Sequence, residues 1–358
     1  MCKDTLLSIL EKNEFYISRC LQLAKTGIFE ALPNPSVGAV LVYKDQIIGE
    51  GATSKYGGPH AEVNAINAVK NPELLKESTL YVSLEPCSHF GKTPPCADLI
   101  IEKKIPKVVI GIQDPFAKVC GQGIKKLKAA GIDVIVGVLE KECEDINKRF
   151  FTFHEQKRPY IILKWAQTQD GFIAPLKKNV TAPFWISNVY SLQLVHKWRS
   201  EESAFLVGTQ TVLDDNPTLS TRSWFGKNPI RIYIDRKGSV PDDFNLKDQS
   251  QPTICITENK NLKNTHNLTY IRIDFSIPII PQICSILYDL NIPSIVIEGG
   301  RRTIQEFIDL NLWDEARVFT SYEHLYEGIQ APKIKKYSST ETIVIENNTL
   351  EYIYSLKR

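Results

Sequence analysis

The chain has 358 residues, 43% of them hydrophobic and 23% charged, with a formal net charge of +2. That length favours two domains over one, and the composition is that of an ordinary globular protein. The near-neutral charge leaves no electrostatic footprint for nucleic acid or a membrane surface, and no apolar run approaches the roughly 18 residues that a span needs. The start, Met1-Cys2-Lys3-Asp4, opens an amphipathic pattern and not a secretory leader. Cys2, Cys20, Cys120, Cys143, Cys255 and Cys284 are scattered and read as reduced thiols of a cytoplasmic protein.

In chain order, residues 5–29 carry a helical apolar stripe that Pro33-Asn34-Pro35 breaks. Two β-like runs, 37–43 and 46–51, flank Lys44-Asp45 and predict a hairpin. A helix opens at His60, with Val63, Ile66 and Val69 on one face. A strand over 79–84 follows, then a helix opening at Cys96 with Leu99 and Ile100 inward. Strands over 107–112 and 132–136 enclose a helix over 123–130, and 140–153 reads as one closing helix. This alternation predicts a mixed sheet between layers of helices.

Gly58-Pro59-His60-Ala61-Glu62 and Glu85-Pro86-Cys87, continuing to Pro94-Pro95-Cys96, carry the first chemistry. One imidazole and two thiolates leave one tetrahedral position of a zinc ion open, as catalytic sites require, whereas structural sites close all four. Glu62, two residues after His60, is a carboxylate free to move protons; this is the H-x-E…P-C arrangement of zinc deaminases. The positive end of a helix at Cys96 favours a thiolate. As a structural zinc site the cluster would need a fourth protein ligand, for which His89 is the nearby candidate.

Lys157-Arg158-Pro159 marks a boundary, and a new strand begins over 160–165. Helix is expected over 187–200, 280–290 and 303–310. Strand is expected over 204–208, 230–235, 253–257, 294–297 and 316–320, and a terminal hairpin over 342–346 and 350–354. Lys164 interrupts the apolar run Ile161-Ile162-Leu163-Lys164-Trp165-Ala166, so it has a partner or a role, or faces solvent on an edge. Glu298-Gly299-Gly300-Arg301-Arg302 leaves a strand and enters a helix, which reads either as a phosphate cradle or as a plain turn. The run from Val207 to Arg222 is another strand exit rich in hydrogen-bonding groups, or else a plain capped turn in which Asp215 and Asn216 satisfy backbone amides.

Over essentially its whole length the chain resembles the bifunctional riboflavin-biosynthesis deaminase/reductase family. The residues that carry the resemblance in the first half are Pro33-Asn34-Pro35-Ser36-Val37-Gly38, Pro59-His60-Ala61-Glu62-Val63, Glu85-Pro86-Cys87-Ser88-His89 with Lys92-Thr93-Pro94-Pro95-Cys96, and Gln113-Asp114-Pro115. In the second half they are Lys164 to Asp170-Gly171, Trp185-Ile186-Ser187, Val207-Gly208 through Thr211 to Arg222, and Ile297-Glu298-Gly299-Gly300. The resemblance implies an α/β chain of two parts: a cytidine-deaminase-like α/β/α sandwich over 1–153 and a dihydrofolate-reductase-like α/β domain over 158–358. It implies deamination of a diaminopyrimidinone ribosyl phosphate, then reduction of the ribosyl group to ribityl with NADPH.

By the same resemblance, His60, Cys87 and Cys96 hold one zinc ion, Glu62 is catalytic, and Asn34, His89 and Lys92 hold the first substrate. Gln167, Trp185, Thr211, Asp215, Gly299, Gly300, Arg301, Arg302 and Thr303 contact NADPH. Lys164, Arg199, Leu219, Arg222 and Glu298 hold the second substrate. The partners implied are the small-molecule substrate and further copies of the chain, as a homodimer or homotetramer, without nucleic acid or membrane. The chain departs from the family at Thr53, where a histidine is usual, at Ala182-Pro183-Phe184, and at Thr168-Gln169. A deaminase with a merely structural second domain is the alternative, and NADPH binding separates the two. A nucleic-acid-editing deaminase would need a basic face and a Cys-x-x-Cys pair, and the chain has neither.

Overall fold

The computed structural model describes residues 3–28, 31–90, 94–116, 120–177, 181 and 184–356. The chain divides into two compact units, Met1–Lys157 and Arg158–Arg358.

In the first unit, α1 (Lys3–Lys25) is followed by the hairpin β1 (Gly38–Tyr43) and β2 (Gln46–Ala52). Lys44 and Asp45 both take positive φ, 45° and 65°, as a tight hairpin turn demands. Then come α2 (Ala61–Asn67), a short 3₁₀ turn (Pro72–Glu77), β3 (Thr79–Leu84), α3 (Cys96–Glu102), β4 (Lys107–Ile112), α4 (Gln122–Ala129), β5 (Asp133–Val136), α5 (Glu140–Ile146) and α6 (Lys148–Gln156). The sheet runs β2-β1-β3-β4-β5, with β1 antiparallel to both neighbours and β3, β4 and β5 parallel. One layer contains α1 and α5, which touch each other, and the other contains α2, α3 and α4, which touch in sequence. A β-carbon at Gly38 would lie 1.9 Å from the Cys20 carbonyl oxygen, so only glycine lets α1 approach β1 this closely.

Two expectations change here. The closing helix is two helices, because Asn147 leaves the helical path and bonds across the unit: its Oδ1 accepts from Ser36 N at 2.8 Å and its Nδ2 donates to Ser36 O at 2.9 Å. The inner face of α2 is Ala61, Glu62, Ala65 and Ile66, while Val63 is only half-buried.

The second unit begins with β6 (Tyr160–Gln167), β7 (Phe172–Ala174), α7 (Val189–Glu201), β8 (Ala204–Val207), α8 (Thr209–Asp215), β9 (Ile230–Ile234), a 3₁₀ turn (Asn245–Lys247), β10 (Thr253–Thr257) and β11 (Leu268–Arg272). It continues with α9 (Ile279–Asp289), β12 (Ser294–Glu298), α10 (Arg301–Asp309), β13 (Glu315–Ser321), β14 (Ile329–Gln330), β15 (Ser339–Ile345) and β16 (Asn348–Tyr354). Nine strands form one sheet in the order β11-β10-β9-β8-β12-β6-β13-β16-β15, parallel from β11 to β13 and antiparallel beyond. Ile161, Leu163 and Trp165 enter the core on one face of this sheet, and Tyr160 and Ile162 enter the core on the other. Strands buried on both faces read as continuous apolar runs, which is why β6 was legible.

Within the strand exit read from Val207 to Arg222, Thr209–Asp215 is not a plain turn but α8, a short helix whose only buried residue is Val212. β7, β11 and β14 were not foreseen. β7 and β14 pair only with each other, and β11 is an edge strand with a single buried residue.

Candidate active sites

The first site gathers where β3 ends. His60 is the extended residue that caps α2, Cys87 follows β3 by three residues, and Cys96 is the first residue of α3. The start of α3 closes over Cys87: Cys96 N donates to Cys87 Sγ at 3.3 Å and Ala97 N to Cys87 O at 3.1 Å. His60 Nδ1 lies 3.6 Å from Cys87 Sγ and 3.3 Å from Cys96 Sγ. Zinc–nitrogen and zinc–sulfur bonds of about 2.05 and 2.3 Å at a tetrahedral angle place N and S about 3.5 Å apart, so the donor set fits zinc. Among the described residues this is the one group of three or more such donors, and His89 is not part of it. A hydrogen bond with Cys96, together with His60 close by, holds the Cys87 thiol well below its ordinary range, as a metal-binding thiolate requires.

Glu62, in the first turn of α2, is 4% exposed. Burial, reinforced by the negative charge at Cys87, pushes its carboxyl up to about 7. A carboxyl in that range exchanges protons readily near neutral pH.

Glu85 is a residue whose work the sequence did not reveal, although it lies in the Glu85-Pro86-Cys87 motif. Its buried carboxylate accepts from Asp114 N at 3.2 Å, Gly121 N at 2.9 Å and Ile124 N at 3.2 Å. It thereby caps α4 and ties the segment after β4 to the one bearing Cys87. Asn34 is half-buried, in a turn closed by its N–H to Ala31 O. His89 is exposed, with its ring 6.2 Å from that of Phe116, which in turn lies 4.9 Å from His154. Lys92 lies outside the described residues. Thr53 accepts Val37 N at 2.9 Å through its hydroxyl, so it serves the hairpin's backbone.

The second site is a cavity of about 1450 Å³ at the carboxyl ends of the parallel strands of the second unit, where open α/β sheets bind ligands. Lys164, Arg199, Leu219, Arg222 and Glu298 all line it. So do Trp185, Thr211, Asp215 and the run Gly299-Gly300-Arg301-Arg302. Lys164 is neither exposed nor on an edge: β6 lies between β12 and β13, and Lys164 Nζ reaches Glu298 Oε1 at 3.0 Å. Glu298 Oε2 accepts from Arg199 at 3.1 Å. Two positively charged neighbours outweigh burial and hold Glu298 at about 2.

The Gly299-Gly300 turn has a partner of its own, since Gly300 N donates to Thr211 Oγ1 at 2.8 Å and so ties α10 to α8. Arg301 and Arg302 are exposed on the first turn of α10. Exposed guanidiniums, a helix N-terminus and a cavity of this volume suit a phosphorylated dinucleotide. Gln167 and Thr303 do not line the cavity. Gln167 accepts from Trp165 Nε1 at 2.8 Å, and Thr303 packs where a β-carbon on Gly208 would meet its Oγ1 at 2.5 Å. His196, on α7, is fully buried. Burial, then the positive charges of Arg199 and Arg222, push it down to about 4, so it is neutral.

Residues 10–112 match the family described as the cytidine and deoxycytidylate deaminase zinc-binding region, and residues 159–321 match the RibD C-terminal domain. The riboflavin biosynthesis protein RibD of Aquifex aeolicus is 39% identical over 350 residues, covering 96% of each chain. That of Bacillus amyloliquefaciens is 38% identical over 330 residues, covering 90% of this chain and 87% of its own. A crystal structure from Thermotoga maritima, described as a diaminohydroxyphosphoribosylaminopyrimidine deaminase/5-amino-6-(5-phosphoribosylamino)uracil reductase, superposes with a TM-score of 0.85 at 35% identity. The match covers 97% of this chain and 99% of that one. The paired deaminase and reductase regions, continuous in one polypeptide as in these relatives, show that the chain belongs to the RibD family of riboflavin-biosynthesis proteins: it is a zinc-dependent deaminase and a reductase in one chain.

Proposed function

We propose that the first unit deaminates 2,5-diamino-6-(5-phosphoribosylamino)pyrimidin-4(3H)-one and that the second reduces the ribosyl group of 5-amino-6-(5-phosphoribosylamino)uracil to ribityl. The observation that carries the first step is the His60, Cys87 and Cys96 donor set with Glu62 buried beside it. When bound, zinc supplies a Lewis acid that brings the pKa of water down to about 7. Glu62 accepts a proton at its carboxylate from the attacking water and delivers one to the departing amine, so that ammonia leaves. Asn34 and His89 hold the base and sugar, and Lys92 offers charge to the phosphate.

In the second unit NADPH, when bound, supplies the hydride. Trp185, Thr211, Asp215 and the segment Gly299 to Arg302 hold the cofactor, with Thr303 and Gln167 supporting them from outside the cavity. Arg199 and Arg222 take the substrate phosphate, Leu219 closes against it, and Lys164 with Glu298 orients the opened sugar so that C1 meets the donor. Much of the rate in this step comes from proximity. We infer further that the enzyme works in the cytoplasm as a homodimer or homotetramer, an assembly that analytical ultracentrifugation tests.

The test is a coupled assay on the diaminopyrimidinone ribosyl phosphate, following ammonia release and NADPH oxidation together. The wild type releases ammonia and then consumes NADPH. Glu62→Ala loses both, yet still reduces substrate that has already been deaminated. Ammonia without NADPH consumption on either substrate would reduce the protein to a deaminase.

A further inference from the structure

A wall of the second cavity does not belong to the main sheet. β6 and β13 are parallel neighbours. From the carboxyl end of each, the chain leaves the sheet and returns as β7 and β14, which pair antiparallel through Ala174 with Ile329 and Phe172 with Gln330. Ile173, Ala174, Pro175, Leu176 and Ile329 from this small ribbon line the cavity. They form an apolar face beside the cationic one built by Arg199, Arg222, Arg301 and Arg302.

Two strands this short do not hold a ribbon in place. What holds it is concentrated at the exit of β6. Thr168 and Phe172 close a turn in which Gly171 takes φ 84°, with nothing within 4 Å of its missing β-carbon. At the tip of that turn Asp170 accepts the Thr168 hydroxyl at 2.6 Å. Across the gap its Oδ1 accepts Leu325 N at 3.2 Å and its Oδ2 accepts Tyr326 N at 2.7 Å. Gln169 N donates to Glu323 O, and Ala331 N to Gly171 O, on either side of this clasp. One carboxylate therefore supplies the side-chain bonds, beside these two backbone ones, that join the two connectors carrying the ribbon. Charge-assisted bonds to backbone N–H groups are among the stronger hydrogen bonds.

We propose that Asp170 is a positioning residue for the reductase step: it clasps the 168–174 connector to the 325–331 connector and so sets the apolar wall against which cofactor and substrate are held for hydride transfer. This rests on the reductase reading above. Hydride transfer depends on how closely donor and acceptor are held, so loosening the wall lowers kcat of reduction and weakens NADPH binding. Deamination, whose residues lie in the other unit, is untouched.

The experiment uses the full chain with Asp170→Asn, Asp170→Ala and Gly171→Ala. Asn keeps one acceptor oxygen for the clasp and Ala keeps none. Gly171→Ala strains the turn through its φ alone, because no neighbour meets the added methyl. The expected result is a graded loss, with kcat/KM of reduction down severalfold in Asn and at least tenfold in Ala and in Gly171→Ala. NADPH dissociation constants rise in the same order, while ammonia release and the thermal midpoint stay at wild-type values. Wild-type reduction kinetics in Asp170→Ala overturn the proposal. A fall in thermal midpoint that tracks the lost activity overturns it too, by making Asp170 a folding element. If the wild-type chain itself consumes no NADPH, the reductase reading fails and not the clasp alone.

Discussion

Replacing Glu298 by glutamine removes one negative charge from between two cations. In the wild type the carboxylate meets Lys164 at 3.0 Å and Arg199 at 3.1 Å, with side-chain exposures of 19%, 11% and 8% for the three residues. Holding the carboxyl at about 2 instead of 4.5 corresponds to about 3 kcal/mol, at 1.36 kcal/mol per pH unit. The figure sits at the lower end of the roughly 3–5 kcal/mol for breaking a buried pair by removing one partner. Among the described residues Arg199 Nε has no partner, so the wild-type network is already imperfect and the lower end is expected.

The pH dependence gives the sharper test. A carboxyl with a lowered folded pKa contributes stability that is complete above about pH 4.5 and is lost as pH falls through 2. By that relation the difference between wild type and Glu298→Gln is about 3 kcal/mol at pH 7 and about 1.5 kcal/mol at pH 3. His196, held down to about 4 from 6.5, destabilises both proteins as pH falls from 6.5 to 4, and this largely cancels in the difference. The assay is urea unfolding followed by tryptophan fluorescence. All five tryptophans, Trp165, Trp185, Trp198, Trp224 and Trp313, lie in the second unit, so the signal reports that unit alone. A difference under about 1 kcal/mol at pH 7, or one that does not shrink at pH 3, would refute the reasoning, since both follow from the same linkage.

Three further outcomes are expected. Cys96→Ser lowers bound zinc at least tenfold in a chelator competition and abolishes ammonia release, with NADPH oxidation on deaminated substrate retained; full zinc retention would remove Cys96 from the ligand set. Asn147→Ala leaves Ser36 N–H and C=O unpaired in a buried place and destabilises the first unit by about 1–3 kcal/mol per orphaned group, read by urea unfolding of that unit by circular dichroism. Gly38→Ala forces a methyl to within 1.9 Å of the Cys20 carbonyl oxygen, and soluble folded protein is lost or its melting point falls sharply; a variant as stable as the wild type would mean that α1 shifts freely over β1.

What the sequence disclosed about the sites follows from how far apart the interacting residues are. His60 and Glu62 share the start of one helix, and Cys87 and Cys96 are nine residues apart on either side of a proline-marked helix start, so their convergence is a local matter. The second unit's Gly299-Gly300 turn was legible for the same reason, because strand, glycines and helix are contiguous. Lys164 stood out as a charge in an apolar strand, but its partner Glu298 is 134 residues away and becomes its neighbour only through the pairing of β12 with β6. The break between α5 and α6 depends on Ser36, 111 residues from Asn147, and no helical periodicity around Asn147 could announce it.

The same contrast explains the elements that were missed. α8 hides in a polar run because one buried residue is too little apolar signal for a helix. β7 and β14 exist only because each gives the other a partner, and the bonds that bring them together include two from backbone donors to a carboxylate 155 and 156 residues away. In the sequence Asp170 belongs to a motif that carries the family resemblance, but by itself it reads only as a turn residue before a glycine. Its geometry makes it the junction between two chain segments that share no local pattern. Residues of this kind, Glu85 in the first unit and Asp170 in the second, hold the chemistry in place without touching it. They are found by following where each buried or converging backbone N–H finds its acceptor, because that accounting must close wherever the chain folds.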